Sequence, residues 1–401
     1  MKSLAAFYIL FFAISALATT PQPVPIREDQ SLSPQIEFAG VGVGTLSYGK
    51  NSVHGSETGL NVSDSALLFG ASERLYDNAI GSFGFGGLTT DAANSENSAT
   101  QSPFFVHQAF VDYQSERFES IVGRTDIQAA HLVDFPTIRE EDLITLSNPL
   151  NPFSSGGNVE EHRYANVAAI TFNQNLSYFE NIHVQHLINT ANVGTQSGIN
   201  SAGITFQYLA PPGLEAFSGF PSWGVGYEHF TVDPNSSSGL NQIYGGSVWN
   251  LNESVTKKFD LRFQEIVSLG SNLSTFQNIT DSYQADSHAL ALALRYLDSP
   301  FGGAGYQLAV TAAYKDYFKV SHAKSAGIAL TGVKKLGVGF DFVLQYQGQW
   351  RDTSLAAAQT NGLDYENTFE VGLSFNFDAV LNQHLSPRRT LLNQQHQYIP
   401  N

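Results

Sequence analysis

Charged residues whose chemistry could act together fall into two groups in this sequence. The bases lie in segments where apolar and polar residues alternate, and a β-strand would turn them to the polar face of each segment. The acids lie in one long segment between such strands. The bases are Arg163, Arg262, Arg295 and Lys315, and the acids are Asp134, Glu140, Glu141 and Asp142. Opposed charges of this kind can orient and select solutes in a water-filled passage.

The sequence gives no comparable pattern for catalysis or metal binding. His183 and His186 are three residues apart in an alternating segment, so they point to opposite faces and cannot form a ligand pair. The segment GVGVGTLSYG at 40–49 lacks the final glycine of a dinucleotide-binding motif and opens no helix. No G-x-S-x-G motif is present. We therefore expect no cofactor, no metal and no enzyme activity, with a barrel lipase or protease, its site formed only in space, as the alternative.

Strict alternation predicts that strands must position these charges. In TFEVGLSFNF, residues 368–377, the aromatic and aliphatic residues share one parity and the polar or small ones share the other. No linker or change of composition interrupts residues 36–377, so one closed β-structure explains the chain better than several soluble domains. The pattern predicts about sixteen strands, near 36–48, 64–76, 80–89, 104–114, 117–125, 162–174, 178–189, 200–210, 222–232, 241–251, 257–269, 285–297, 304–317, 323–336, 337–350 and 365–377.

The N-terminus and the composition indicate an exported protein. Residues 1–18, MKSLAAFYILFFAISALA, have a lone lysine, a short apolar run and a small-x-small site, which predicts a signal peptide, with an N-terminal anchor helix as the alternative. The chain has no cysteine, so disulfides do not stabilise it. Its formal net charge of −16 argues against a nucleic-acid partner, because phosphates require a basic surface.

The connections between the predicted strands alternate in length. Longer ones are expected near 49–63, 89–103, 126–161, 270–284 and 351–364, after odd-numbered strands. A soluble sandwich has no reason for this alternation, whereas outer-membrane barrels have short periplasmic turns and long outer loops. We therefore predict an all-β fold, a transmembrane antiparallel β-barrel with both termini in the periplasm. A soluble all-β protein is the alternative.

The longest connection, residues 125–161, is called the third loop here. A loop of this length is usually functional unless it is disordered. Packing against another surface is favoured by its apolar residues, which are Leu132, Val133, Phe135, Leu143 and Leu146, and folding into the barrel lumen would supply that surface.

With these features the chain resembles the general bacterial porins over nearly its whole mature length. The resemblance implies a channel for passive diffusion of small hydrophilic solutes, contact with outer-membrane lipid and a homotrimer. Gly372, Phe375 and Phe377 are similar to the signal on the last strand that the barrel-assembly machinery recognises. Stretches such as QAFVDYQ and LSNPLNPF resemble the LbtU-type siderophore porins, which implies uptake of siderophores or iron complexes. A barrel that displays adhesive loops is a further alternative.

Two segments depart from this resemblance. Porins usually end on the aromatic of the assembly signal, whereas here a tail at 378–401 follows Phe377. The Pro-rich segment at 19–35 replaces the N-terminal coiled coil of the LbtU-type proteins, and it is too short to form the plug domain of energy-coupled receptors. The expected organisation is a signal peptide at 1–18, a periplasmic segment at 19–35, a barrel at 36–377 and a periplasmic tail at 378–401.

The two groups of charges make opposite demands on an ion in such a pore. Acids at a constriction formed by the third loop would be less screened than bases spread along a wide lumen. The sequence therefore predicts a mild preference for cations.

Overall fold

The computed structural model describes residues 35–61, 66–76, 79–87, 104–114, 118–126, 133, 135–138, 164–176, 179–187, 200–208, 221–231, 239–251, 257–271, 286–298, 305–318, 323–337, 339–353 and 364–381. Strands make up almost all of them. They are β1 (Gln35–Asn51), β2 (Gly55–Asn61), β3 (Ala66–Tyr76), β4 (Ala79–Gly87), β5 (Phe104–Gln114), β6 (Phe118–Asp126), β7 (Tyr164–Leu176), β8 (Phe179–Leu187), β9 (Asn200–Tyr208), β10 (Ser222–Thr231), β11 (Gly239–Asn250), β12 (Lys257–Ser271), β13 (Ser287–Asp298), β14 (Tyr306–Tyr317), β15 (Ala323–Gly337), β16 (Phe340–Arg351) and β17 (Tyr365–Leu381). Among these residues, no helix is both long and apolar enough to cross a membrane.

The strands form one antiparallel sheet that follows chain order. From β3 to β17 each strand pairs with the next, and β17 pairs with β1. The other edge of β1 pairs with β2 over its second half and with β3 over its first half. The ladder thus returns to its first strand, and the predicted all-β antiparallel barrel is confirmed. The number of crossing strands stays a prediction, because residues 62–65 between β2 and β3 lie outside the described residues.

The two faces of the sheet differ in the way the alternation predicts. Along β14, Leu308 and Val310 are exposed while Ala309 and Thr311 are buried. β13 and β16 repeat this pattern. The exposed outer face is apolar, as a wall against lipid must be, and aromatic side chains gather near its ends. Tyr296, for example, lies 5.7 Å from both Phe259 and Tyr306 between ring centroids.

The predicted connection at 49–63 is wrong. β1 continues to Asn51 and β2 begins at Gly55, so only a short turn separates them. The Asn51 side chain accepts hydrogen bonds from the backbone N–H groups of Val53 and His54, and Gly55 takes a positive φ of 78°. Residues 52–60 are exposed. Without a buried face, this extension has no apolar alternation by which the sequence could mark it as a strand.

The last strand is longer than the predicted barrel boundary at Phe377. β17 continues to Leu381, and its residues 378–381 pair with 36–39 of β1. The alternation continues in part beyond Phe377, because Ala379 and Leu381 keep the apolar parity and only Val380 interrupts the polar one, so the predicted boundary lies too early.

Gly372 lies where β17 meets β1 most closely. It stands opposite Thr45 in the ladder, and a Cβ atom there would collide with the backbone of Gly44 and Thr45. Gly44 itself has open space around the position that a Cβ would take. Gly372, a residue of the predicted assembly signal, therefore also allows β1 and β17 to pair closely. We call this pairing the seam.

We expect Gly372→Ala to destabilise the closed barrel, because the added methyl group would force the β1 backbone away and overpacking costs about 1–3 kcal/mol. The temperature at which the heat-modifiable band shifts on a gel should fall. Gly44→Ala is the control for a glycine in the same seam and should leave that temperature nearly unchanged. Equal temperatures for the two variants would show that Gly372 does not limit the seam.

Candidate functional site

The inner wall from β11 to β16 is polar. Its buried polar side chains include glutamines, threonines and four bases on neighbouring strands. They are Gln242, Arg262, Gln264, Arg295, Thr311, Lys315, Thr331, Gln345, Gln349 and Arg351. The opposite face of the same strands is mostly apolar and exposed, with Glu265 and His288 among the exceptions. Most hydrogen-bonding side chains therefore lie on the inner side, where water would be the natural solvent.

Two of the predicted pore bases share one acid on this wall. Asp260 and Arg295 are directly opposite each other on β12 and β13, and the Arg295 Nη2 atom lies 2.6 Å from Asp260 Oδ2. Arg262, two residues along the same face of β12, places Nε 2.9 Å from Asp260 Oδ1. The Arg262 side chain is 1% exposed. Asp260 therefore holds both arginine side chains in place and offsets part of their charge.

Lys315 lies elsewhere on the same inner face. It is opposite Ala289 in the ladder, and its Nζ atom lies 5.1 Å from the centroid of the Tyr317 ring. Arg295 is opposite Ala309, six residues from Lys315 on β14, which is about 20 Å along a strand. The structure thus separates the predicted bases into an arginine pair and a distant lysine.

Part of the third loop lies against this wall, between the Arg262–Arg295 pair and Lys315. The described part consists of Val133 and residues 135–138, and we call it the loop segment. Val133 is 1% exposed and packs in one cluster with Tyr244, Val248, Ile266 and Ala289. Phe135 packs against that cluster and against a second one formed by Ala291, Ala313 and Ala329. Small and apolar residues on an otherwise polar wall thus form a seat for the loop segment.

Two glutamine side chains fix the backbone of the loop segment. Gln264 accepts a hydrogen bond of 3.0 Å from the Val133 N–H, and Gln345 accepts one of 2.9 Å from the Ile138 N–H. Gln345 also accepts a bond of 2.8 Å from the Thr331 hydroxyl. The Thr137 N–H donates to the Phe135 carbonyl at 2.8 Å, a three-residue turn that suits the fixed φ of the proline between them.

The position of these anchors shows that the loop segment lies inside the barrel. Gln264 is on β12 and Gln345 is on β16, and four strand spacings along a sheet amount to about 19 Å. The five residue steps from Val133 to Ile138 span at most about 18 Å even when extended. On the concave side, the segment cuts across the curve and the glutamine side chains reach towards it. The predicted folding of this part of the loop into the lumen is therefore confirmed.

Five predicted site residues lie outside the described residues: Arg163 and the loop acids Asp134, Glu140, Glu141 and Asp142. The position of Arg163 on the pore wall and that of the acids in a constriction therefore stay predictions. In the predicted assembly signal, Gly372, Phe375 and Phe377 all lie in β17, and Phe375 is opposite Phe340 on β16. Their role as a signal also stays a prediction.

The alternation does not predict which residues hold the loop segment or which acid bridges the two arginines. Asp260, Arg262 and Gln264 share one parity of a strand, so a polar inner face was visible, and Gln345 belongs to a similar face. Tyr244 was less visible, because it is an aromatic residue facing inwards. Its ring occupies the space that a side chain at Gly226 would take on β10. An inward tyrosine opposite a glycine was the available signal.

Comparison with known proteins supports the fold. No family model and no curated protein matches the sequence. Solved structures do match: an anion-selective porin from Comamonas acidovorans with 16% identity and a TM-score of 0.57, covering 86% of this chain and 100% of the other. OmpF of Salmonella typhi has 10% identity and a TM-score of 0.58, with 85% and 97% covered. OmpT of Vibrio cholerae in its trimer form has 9% identity and a TM-score of 0.52, with 86% and 100% covered.

The fold is that of the outer-membrane porins. At these identities the likeness concerns the course of the chain and not the side chains of the pore. The narrower resemblance to LbtU-type siderophore porins stays a prediction.

We expect the double substitution Gln264→Leu with Gln345→Leu to release the loop segment, because each change leaves a backbone N–H without its acceptor at a cost of about 1–3 kcal/mol. Single-channel conductance in a planar bilayer should rise and become noisier. Gln242→Leu is the matched control, since Gln242 lies on the same wall and bonds to Ser268 instead of the loop segment. Wild-type conductance in the double variant would mean that the glutamines do not hold the constriction.

Proposed function

We propose that this protein is a channel in the bacterial outer membrane through which small hydrophilic solutes diffuse passively. The observation that carries the proposal is the loop segment seated by Gln264 and Gln345 on a polar inner wall, inside a barrel whose outer wall is apolar. A protein that only anchored surface loops would not require a loop held against its inner wall. The seat gives the pore a narrow region, and the charged side chains on either side of it act on whatever passes.

The direct test is conductance of the purified, refolded protein in planar bilayers. We expect discrete current steps that are linear in voltage, because a diffusion channel contains a continuous aqueous path. The same preparation heated until its migration on gels shifts should give no steps. A barrel lipase, a barrel protease or an adhesin without a pore would leave the bilayer silent while the protein remains folded, and that result would contradict the proposal.

We further propose a mild preference for cations. The third loop carries Asp134, Glu140, Glu141 and Asp142, while Asp260 already offsets part of the charge of Arg262 and Arg295. A carboxylate near the narrowest part of the pore is screened less than a base on a wide wall. The Comamonas porin, which shares 16% identity with this chain, is described as anion-selective, which is the opposite preference.

Replacing Glu140, Glu141 and Asp142 together by their amides should shift the reversal potential in a salt gradient towards zero or towards anion preference. The fold should be unaffected, because the three acids belong to a connection between strands and an amide has nearly the size of the carboxylate that it replaces. Glu57→Gln is the control, since Glu57 is exposed on the β1–β2 extension. If the triple variant and the control both keep the wild-type potential, these acids do not face the pore.

The proposals for the solute and for the oligomeric state rest on the resemblance to porins. We propose siderophores or other iron complexes as candidate solutes, together with smaller hydrophilic molecules. We also propose delivery by the barrel-assembly machinery and a homotrimer, in line with the trimer form of OmpT of Vibrio cholerae. Liposome swelling with an iron-loaded siderophore and with a sugar of equal size would separate a specific channel from a general one.

A further inference from the structure

A buried lysine and a buried serine lie side by side on the inner wall, with an arginine next to the serine. Lys315 on β14 stands directly opposite Ser325 on β15, and Ser325 stands directly opposite Arg351 on β16. The three residues are 8%, 4% and 6% exposed. Side chains at directly opposite positions of an antiparallel pair have Cβ atoms about 5 Å apart. We call these three residues the Lys315–Arg351 row.

The row lies between the loop segment and one end of the barrel. Long connections leave the barrel at this end, after β12 and after β16. Lys315 is opposite Ala289, which packs in one cluster with Val133 of the loop segment. A solute that enters the barrel from this end therefore reaches the row before it reaches the loop segment.

The ammonium group of Lys315 is buried without an acid to balance it. In the part of the chain that the structure describes, no carboxylate forms an ion pair with Lys315. Its Nζ atom lies 5.1 Å from the centroid of the Tyr317 ring, a contact that offsets only part of the cost of burying a charge. Lysine is almost never fully buried unless it is paired. The environment of Lys315 therefore favours a negative group from elsewhere.

Arg351 differs from Lys315 in this respect. Its Nη2 atom donates to Gln349 Oε1 at 3.1 Å, and Glu366 on β17 stands opposite Gln349. An acid thus lies on the side of Arg351 that is away from Ser325. The positive charge that lacks an acid belongs to Lys315.

The hydroxyl group of Ser325 completes the arrangement. It is buried, and it has no hydrogen-bond partner among the described residues. Buried polar groups nearly always have a partner. A hydroxyl can donate to an oxyanion, and an ammonium group on the neighbouring strand can donate to the same oxyanion in a charge-assisted hydrogen bond. Lys315 and Ser325 therefore offer two donors to one small space.

We propose that Lys315 and Ser325 bind an oxyanion group, a carboxylate or a phosphate, of a small solute in the pore. The Lys315 ammonium group and the Ser325 hydroxyl donate to the oxygens of this group, and Arg351 adds positive charge on the other side of the serine. The inference rests on the proposed function in that the solute reaches the row through the lumen. A bound anion neutralises Lys315, so the site is compatible with a constriction that prefers cations.

The first test measures how an added anion lowers the single-channel current in potassium chloride. Succinate and inorganic phosphate are the probes, and glycerol is the uncharged control. At least one anion should lower the wild-type current saturably, and the anion that acts identifies the group. Lys315→Gln should raise the half-saturating concentration about tenfold or more, because it removes a charged donor. Lys324→Gln is the matched control and should leave that concentration unchanged, since Lys324 is exposed on the opposite face of β15.

Ser325→Ala separates a binding site from an effect of charge alone. It removes the hydroxyl without a change of charge, and it should raise the half-saturating concentration several-fold. Ser268→Ala is its control, because Ser268 is buried on the same wall and accepts a hydrogen bond from Gln242. Three results would each overturn the proposal: no saturable decrease in the wild type, equal values for the two lysine variants, or equal values for the two serine variants.

A second measurement does not require a conducting pore. A ligand that binds only the folded barrel raises the temperature at which the heat-modifiable band shifts on a gel. Compared with potassium chloride of equal ionic strength, the active anion should raise this temperature for the wild type and Lys324→Gln but not for Lys315→Gln. No rise in the wild type would refute the site. Normal current steps without an effect of either anion would leave the channel proposal intact, whereas a silent bilayer with a rise in temperature would contradict the channel and support the site.

Discussion

The structure depends on one constraint, the need to satisfy every backbone N–H and C=O group inside a hydrocarbon layer that offers no hydrogen bonds. The pairing of β17 with β1 meets this constraint, because it removes the two edges that an open sheet would expose. Gly372 is important for this reason, since a larger residue would separate the strands at the seam. The closed ladder then allows the outer wall to be apolar and the inner wall to be polar without further support.

In a closed barrel of this size the wall alone does not determine the width of the lumen. Here the loop segment does so, and the wall accommodates it with small residues such as Ala291 and Ala313 where Phe135 lies. Glutamine side chains of the wall accept the hydrogen bonds from the backbone of the loop segment, and because these anchors are neutral they leave the charges of the pore unaltered. The shape of the passage and its charge are therefore set by different residues.

The alternation of apolar and polar residues predicts the strands of this structure but not the contacts between distant side chains. Alternation predicted the strands, because a wall between lipid and water requires apolar residues on one face, and it placed Arg262, Arg295 and Lys315 on the inner face. It failed for β2, where both faces are exposed, and for the end of β17, where the apolar Val380 interrupts the polar parity. It could not predict that Asp260 bridges two arginines or that Gln345 holds Ile138, because contacts between distant residues leave no mark in a local period.

The separation in sequence between the loop segment and its anchors bears on how the protein matures. Val133 lies 131 residues before Gln264, and Ile138 lies 207 residues before Gln345. The segment is therefore synthesised well before the surface that it contacts. It cannot make both hydrogen bonds until the strands from β12 to β16 have paired. Contacts between residues that are far apart in the sequence form late, because closing the long loop between them costs conformational entropy. The passage accordingly acquires its final width only after the wall around it is complete.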